Sequence, residues 1–250
     1  MAGAFPNISG AYPVRFPYTH TLLIRSSCMS FWSGTSQRYA ITGLLNSFKW
    51  NYRRISYTDL QTLETFWTAQ KGEYDSTWSI SLLDPSTMAI RSYAGMAFDQ
   101  DIFGYTESPP QWFALGLDAV QTVSEAVTVA PNTTYPTING GVLVQIPFGT
   151  APSFKTLKND LDSGLRISYY AWTAPLTKWQ LSYPAITNAE VQTLVKFYLA
   201  NGGPVNPFSF SDPNTSVVHP LCYFGADGIQ LTRISTNLNS VALSIEEYAA

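Results

Sequence analysis

Along most of the chain apolar and polar positions alternate with period two. Examples are Trp78-Ser-Ile80-Ser-Leu82, Phe113-Ala-Leu115-Gly-Leu117 and Leu165-Arg-Ile167-Ser-Tyr169. The same alternation runs through Val142-Leu-Val144-Gln-Ile146-Pro-Phe148, Phe208-Ser-Phe210 and Val241-Ala-Leu243-Ser-Ile245. Such alternation predicts half-buried antiparallel strands. The intervening positions are often Ser, Thr or Gln, so the outer faces are polar but hardly charged. Two segments depart from this with helical spacing. Leu60, Leu63, Phe66 and Trp67 share one helix face, as do Val191, Leu194, Phe197 and Tyr198. Ser56-Tyr-Thr-Asp59 and Thr187-Asn-Ala-Glu190 precede them as capping boxes. Gly72 and Gly202-Gly203 supply C-terminal stops. The helices are expected at about 59–71 and 190–201.

The two helical segments belong to an internal repeat. LQTLETFWTAQKG (60–72) and VQTLVKFYLANGG (191–203) are identical at six of thirteen positions. Upstream, Trp50-Asn-Tyr52 answers Trp179-Gln-Leu181-Ser-Tyr183, and Ser33-Gly34 answers Ser163-Gly164. Downstream, Leu83-Asp84-Pro85 answers Ser211-Asp212-Pro213, and Phe113-Ala-Leu-Gly-Leu-Asp118 answers Val241-Ala-Leu-Ser-Ile-Glu246. The order is kept throughout. This divides the chain into an N-terminal arm (1–19), a first β domain (20–122), a Thr/Pro/Asn-rich linker (123–140) and a second β domain (141–250). The expected fold is mainly β: two tandem β-sandwich or barrel-like domains, each with one short α-helix.

Composition narrows what such a fold is for. Of 250 residues, 12% are charged and 14% aromatic, against roughly 25% charged in an ordinary soluble domain. Disorder is excluded by the aromatics. The net charge of −3 and the absence of a Lys/Arg block argue against a sequence-specific nucleic-acid binder. No apolar run reaches the ~20 residues of a membrane span. The opening MAGAFPNISGAYPVRFPY lacks the apolar run of a signal peptide.

Candidate chemistry is sparse. Cys28, Cys222, His20 and His219 are the chain's only Cys and His residues, and none has zinc-ligand spacing. Asn159-Asp160-Leu-Asp162-Ser-Gly164 lacks the fifth-position and closing ligands of a calcium loop, and Asp99-Gln-Asp101 lacks a third carboxylate nearby. No nucleophile elbow, P-loop, dinucleotide fingerprint or zincin motif is present. The sequons at Asn7, Asn132 and Asn214 carry meaning only in a secreted chain. No catalytic, cofactor or metal residue is assigned. Trp32, Trp50, Trp67, Trp78, Trp112, Trp172 and Trp179 offer sugar-stacking platforms, yet most sit at inward positions of the patterns and read as core or subunit contacts.

Ser33-Gly-Thr-Ser-Gln37-Arg38, Phe48-Lys-Trp50, the helix LQTLETFWTAQKG, Trp78 and Asp84-Pro85 together form a recognisable series. It resembles the distal tail protein family of long-tailed bacteriophages and gene transfer agents. The second copy matches through Trp179, Tyr183, VQTLVKFYLANGG and PFSFSDP, but has Leu165-Arg166 where the first has Gln37-Arg38. The resemblance implies tail-tube-like domains and a structural, non-enzymatic virion protein made in the host cytoplasm. It implies a ring at the tail tip around the DNA channel, joining the tail tube protein to the hub or spike, with the tape measure protein as a further neighbour. Two fused copies imply either a trimer with pseudo-sixfold symmetry or a hexamer with one domain per layer. Large permanent interfaces are poor in charge, in keeping with the composition. The competing expectations are a tandem β-sandwich carbohydrate-binding protein and a tail-associated peptidoglycan hydrolase.

Overall fold

The computed structural model describes residues 3–8, 17–30, 36–71, 77–108, 112–138, 145–153, 156–160, 166–170, 176–225 and 228–248. The first half holds β1 (Gly3–Ala4), β2 (Tyr18–Leu23), β3 (Ser26–Ser30), β4 (Ser36–Ala40) and β5 (Leu45–Ile55). Helix α1 (Tyr57–Lys71) follows, then β6 (Trp78–Leu83), β7 (Ile90–Phe98), β8 (Tyr105–Ser108) and β9 (Trp112–Gln121). The second half repeats the series from its edge strand onward. It holds β10 (Gln145–Ser153), β11 (Thr156–Asp160), β12 (Arg166–Tyr170), β13 (Leu176–Thr187) and α2 (Asn188–Ala200). It ends with β14 (Phe208–Ser211), β15 (Val218–Phe224), β16 (Gly228–Arg233) and β17 (Leu238–Glu247). The chain is mainly β, and among the described residues each half has one helix. Trp32, Trp172, Ser33-Gly34, Ser163-Gly164, Gly72 and the strand expected at 142–144 lie outside the described residues.

Both helices start where their caps put them. The Asp59 N–H donates to Ser56 Oγ at 3.2 Å, and Thr187 and Glu190 form a reciprocal capping box. At the end of α2, Gly202 and Gly203 take φ of +63° and +64° and return their N–H groups to the carbonyls of Leu199 and Tyr198. The two Asp-Pro turns are likewise copies of one another. Asp84 and Asp212 each accept from the N–H two residues on, and Met88 and Ser216 each adopt a left-handed φ, 56° and 58°.

The segments expected as an N-terminal arm and a linker each contribute to a core. Phe5-Pro-Asn-Ile8 and Tyr135-Pro-Thr-Ile138 occupy equivalent places. The N–H of Phe5 donates to Ser79 O, and that of Tyr135 to Ser209 O. Phe5 meets Phe66 at 5.5 Å and 78°, and Tyr135 meets Phe197 at 5.5 Å and 79°. Each segment inserts an aromatic ring and an isoleucine into its own core, and burial of those apolar groups holds it there. The motif escapes a periodicity search because two buried residues around a proline make neither a strand nor a helix pattern.

Two clusters of buried side chains result, one in each half. One 13-stranded sheet nevertheless runs through both, in the order β1-β6-β7-β9-β5-β2-β16-β17-β13-β10, with β8, β14 and β15 attached. The junction is β2 against β16, antiparallel from Tyr18 opposite Arg233 to Leu23 opposite Gly228. Strand β2 serves both cores, since Tyr18 packs in the first and Leu22 in the second, joined there by the following Ile24.

Candidate functional site

The shared sheet has two unlike faces. Its helix-bearing face is buried and mostly apolar; one row across it is Ala119, Phe48, His20, Leu231, Val241 and Tyr183. On the other face Val120, Ser47, Thr21, Gln230, Ala242 and Ser182 stand opposite one another across six strands of both halves. The next row along runs Asp118, Lys49, Thr19, Thr232 and Ser240, with the hydroxyls of Thr19 and Thr232 at 3.3 Å. Hydroxyl, amide and methyl groups therefore dominate a continuous surface. Two ion pairs on it are copies of each other, Lys49–Asp118 at 2.9 Å and Lys178–Glu246 at 2.5 Å. Each charge is answered by the residue directly across the ladder, so neither pair leaves a net charge on the face.

A hairpin from the first half crosses to the second. Arg38, on β4, donates to the Phe224 carbonyl at 3.0 Å and to Glu246 Oε2 at 3.4 Å, and it contacts the Tyr248 hydroxyl. Its guanidinium also stacks over the rings of Tyr223 and Tyr248, at 5.4 and 4.9 Å. Arg38, of the Gln37-Arg38 motif, thus fastens the two halves. Sequence alone marks the residue but not its partner, nearly two hundred positions away.

The second polar feature is buried beneath the junction. His20 Nε2 lies 2.8 Å from Asn46 Oδ1, and Asn46 donates to Gln121 Oε1 at 2.8 Å. Gln121 donates to Glu125, which pairs with Arg91 at 2.5 Å, and Arg91 reaches Asp84 at 3.3 Å. Burial drives the His20 imidazole down to about 4. Hydrogen bonds from Ser86 and Arg91 hold the Asp84 carboxyl below its ordinary value despite desolvation. His20, Asn46, Gln121 and Asp84 are buried, while Arg91 and Glu125 carry the series out to the surface. The series satisfies the polar groups that the junction buries.

The remaining candidates are dispersed. His219 Nδ1 bonds Glu247 at 2.7 Å, and Cys222 is free and buried. The Cys28 side chain lies outside the described residues. Asp99 and Asp101 flank Gln100, whose side-chain Oε1 accepts from the Asp118 N–H in a turn after β7. Asn159 and Asp160 end β11, and the rest of that motif lies outside the described residues. Among the described residues no three His, Cys, Asp or Glu side chains converge as a metal site. Trp50, Trp78 and Trp179 are fully buried, and Trp67 and Trp112 half-buried, so among the described residues no Trp forms an open platform. Among them also, no helix is long and apolar enough to cross a membrane. No family model matches the chain, and no curated protein matches it.

Proposed function

We propose that this chain is a structural subunit of a phage-type tail tip, forming a ring around the DNA channel between the tail tube and the hub or spike. The observation that carries the reading is the two-faced sheet continuous through both repeats. One face is sealed by helices and aromatic cores, and the other is a wall of small polar groups with its ion pairs closed on themselves. A wall of that kind lets a polyanion pass without holding it, because phosphate affinity needs uncompensated Lys and Arg. The resemblance of both copies to distal tail proteins supports the same assignment. Tail tube, hub and tape measure proteins are the partners it implies, and the virion tail is the location.

Negative-stain images of the purified chain, with immunogold labelling of particles, test the proposal. Rings of three- or sixfold symmetry and label at the tail tip are the expected result. A stable 27.7 kDa monomer at micromolar concentration, with no place in a particle, overturns it. If glycan arrays then show binding by that monomer, the carbohydrate-binding reading takes its place.

A further inference from the structure

The junction between the repeats is made once inside the chain, and both of its halves recur at the chain's outer margins. Inside, β16 of the second half pairs with β2 of the first. The equivalent of β16 in the first half is β8, since Thr106 stands opposite Ala114 as Gln230 stands opposite Ala242. The equivalent of β2 in the second half is β10, since Ala151 faces Lys178 as Thr19 faces Lys49. Among the described residues β8 pairs with β9 alone and β10 with β13 alone. Tyr105 to Ser108 and Gly149 to Pro152 are all exposed.

One glycine adds an independent observation. A Cβ on Gly228 would lie 2.7 Å from Leu23 Cδ2 and 3.1 Å from the Leu22 carbonyl, so glycine is what lets β2 close on β16. The equivalent residue beside β8 is Gly104. A Cβ there would meet nothing within 4 Å, and its φ is not left-handed. Nothing within the described chain requires glycine at that place. A strand that continued past Ser153 against β8, as β2 continues past Thr21 against β16, would require it.

We infer that copies of this chain associate head to tail, β8 of one copy pairing antiparallel with β10 of the next in the register of the internal junction. Ser108 then stands opposite Ala151 of the next copy, Glu107 opposite Pro152 and Thr106 opposite Ser153. Pro152 has no N–H to give, so this ladder has one donor fewer than the internal one, which guards the free edge against indiscriminate strand addition. The internal junction sets the two repeats side by side in one sheet rather than in stacked layers. Resting on the tail-tip reading for sixfold symmetry, three copies close a ring of six repeats. Such a heterologous contact closes into a ring or runs on as a filament, and the two are distinguishable.

The test is a disulfide placed across the inferred pair. Thr19 and Thr232 form the internal counterpart, with hydroxyls 3.3 Å apart, so cysteines in that register are within bonding reach. Ser108→Cys with Ala151→Cys is made in the full chain with Cys28→Ser. Cys222 is left in place, because burial pushes its thiol up to about 12 and keeps it out of exchange. Oxidation is expected to give a covalent ladder ending at three chains, with either single variant giving none, and rings in negative stain. Thr19→Cys with Thr232→Cys is the control that closes within one chain. If the control closes and the double variant gives no covalent oligomer, the strand pairing is overturned. A closed ring of another number, or a filament, leaves the pairing standing and overturns the sixfold tail-tip reading. As a second readout, Gly104→Leu should raise the concentration for half-assembly by about tenfold or more, the ordinary scale of overpacking a close strand contact. The unfolding midpoint of the unassembled chain should stay unchanged. Assembly unaffected by Gly104→Leu also overturns the pairing.

Discussion

His20 Nε2 stands 2.8 Å from Asn46 Oδ1, in a site where His20 is 3% exposed and its ring stacks on Phe48 at 4.3 Å. The neutral imidazole donates this bond, and Asn46 passes the chain on to Gln121 and Glu125. Unfolded, a histidine titrates near 6.5; here burial lowers it to about 4. On acidification the unfolded chain takes up the proton first, so the stability from neutral His20 is complete above about pH 6.5 and lost as pH falls to about 4. The loss amounts to about 3 kcal/mol over that window. Asp84, with its carboxyl held low, adds a loss only below its ordinary value, beyond the acid end of that window. Urea unfolding at about pH 7 and about pH 5 is the check. An unfolding free energy equal at both would sink the assignment, and His20→Gln should flatten the slope.

Arg38 fastens the β3–β4 hairpin to the second half through three hydrogen bonds and two aromatic rings. Its side chain is only 9% exposed, so removing it leaves the Phe224 carbonyl without its donor and Glu246 with Lys178 as its remaining cation. Arg38→Ala should cost about 2–3 kcal/mol. Lysine lacks the planar fork and the stacking face, so Arg38→Lys should recover little of it. Hydrogen exchange across residues 26–40 should quicken in both variants, and unchanged exchange there would remove the clasp from the account.

Ser216 and Met88 occupy the same left-handed position in the two Asp-Pro turns, but their side chains differ in use. Met88 packs against the second core, whereas Ser216 is exposed. Ser216→Gly should therefore raise stability by about 0.5–1 kcal/mol through relief of backbone strain. Met88→Gly gains the same relief and loses packing, so it should be neutral or worse. Thermal melts of the two variants side by side decide this.

Phe5 and Tyr135 make the same edge-on contacts with Phe66 and Phe197. Phe5→Ala and Tyr135→Ala should each cost about 3–5 kcal/mol, the cost of deleting a core aromatic. Deleting residues 1–8 should match Phe5→Ala rather than act as trimming of a loose tail. Denaturant midpoints of the three variants check this, and a deletion without effect would show that the segment is dispensable.

Much of the local structure is legible in the residues themselves. Ser56 and Thr187 announce the helices within one or two residues of their starts, because capping is chemistry between neighbours. Trp78, Trp179 and Phe210 fall on buried faces as their alternation requires. The candidate surface is less legible. Lys49 and Asp118 lie 69 residues apart, and no local pattern says that they pair. Phe5-Pro-Asn-Ile8 and Gly104 each have a counterpart in the second copy, Tyr135-Pro-Thr-Ile138 and Gly228. Aligning the copies beyond their helices and strands is the signal that finds both.

By itself the sequence determined that this is a duplicated, mainly β chain with one capped helix per copy and very little charge. Periodicity, capping and turn chemistry act over a few residues, so composition and order suffice to read them. Only the tertiary structure decided that β2 lies against β16, that two cores share one sheet, and that β8 and β10 are left at its margins. Those outcomes depend on hydrogen bonds between strands 213 residues apart, such as the pair holding Thr19 opposite Thr232. Backbone N–H and C=O groups are the same in every residue but proline, so which strand meets which is settled by the packing of the side chains they carry.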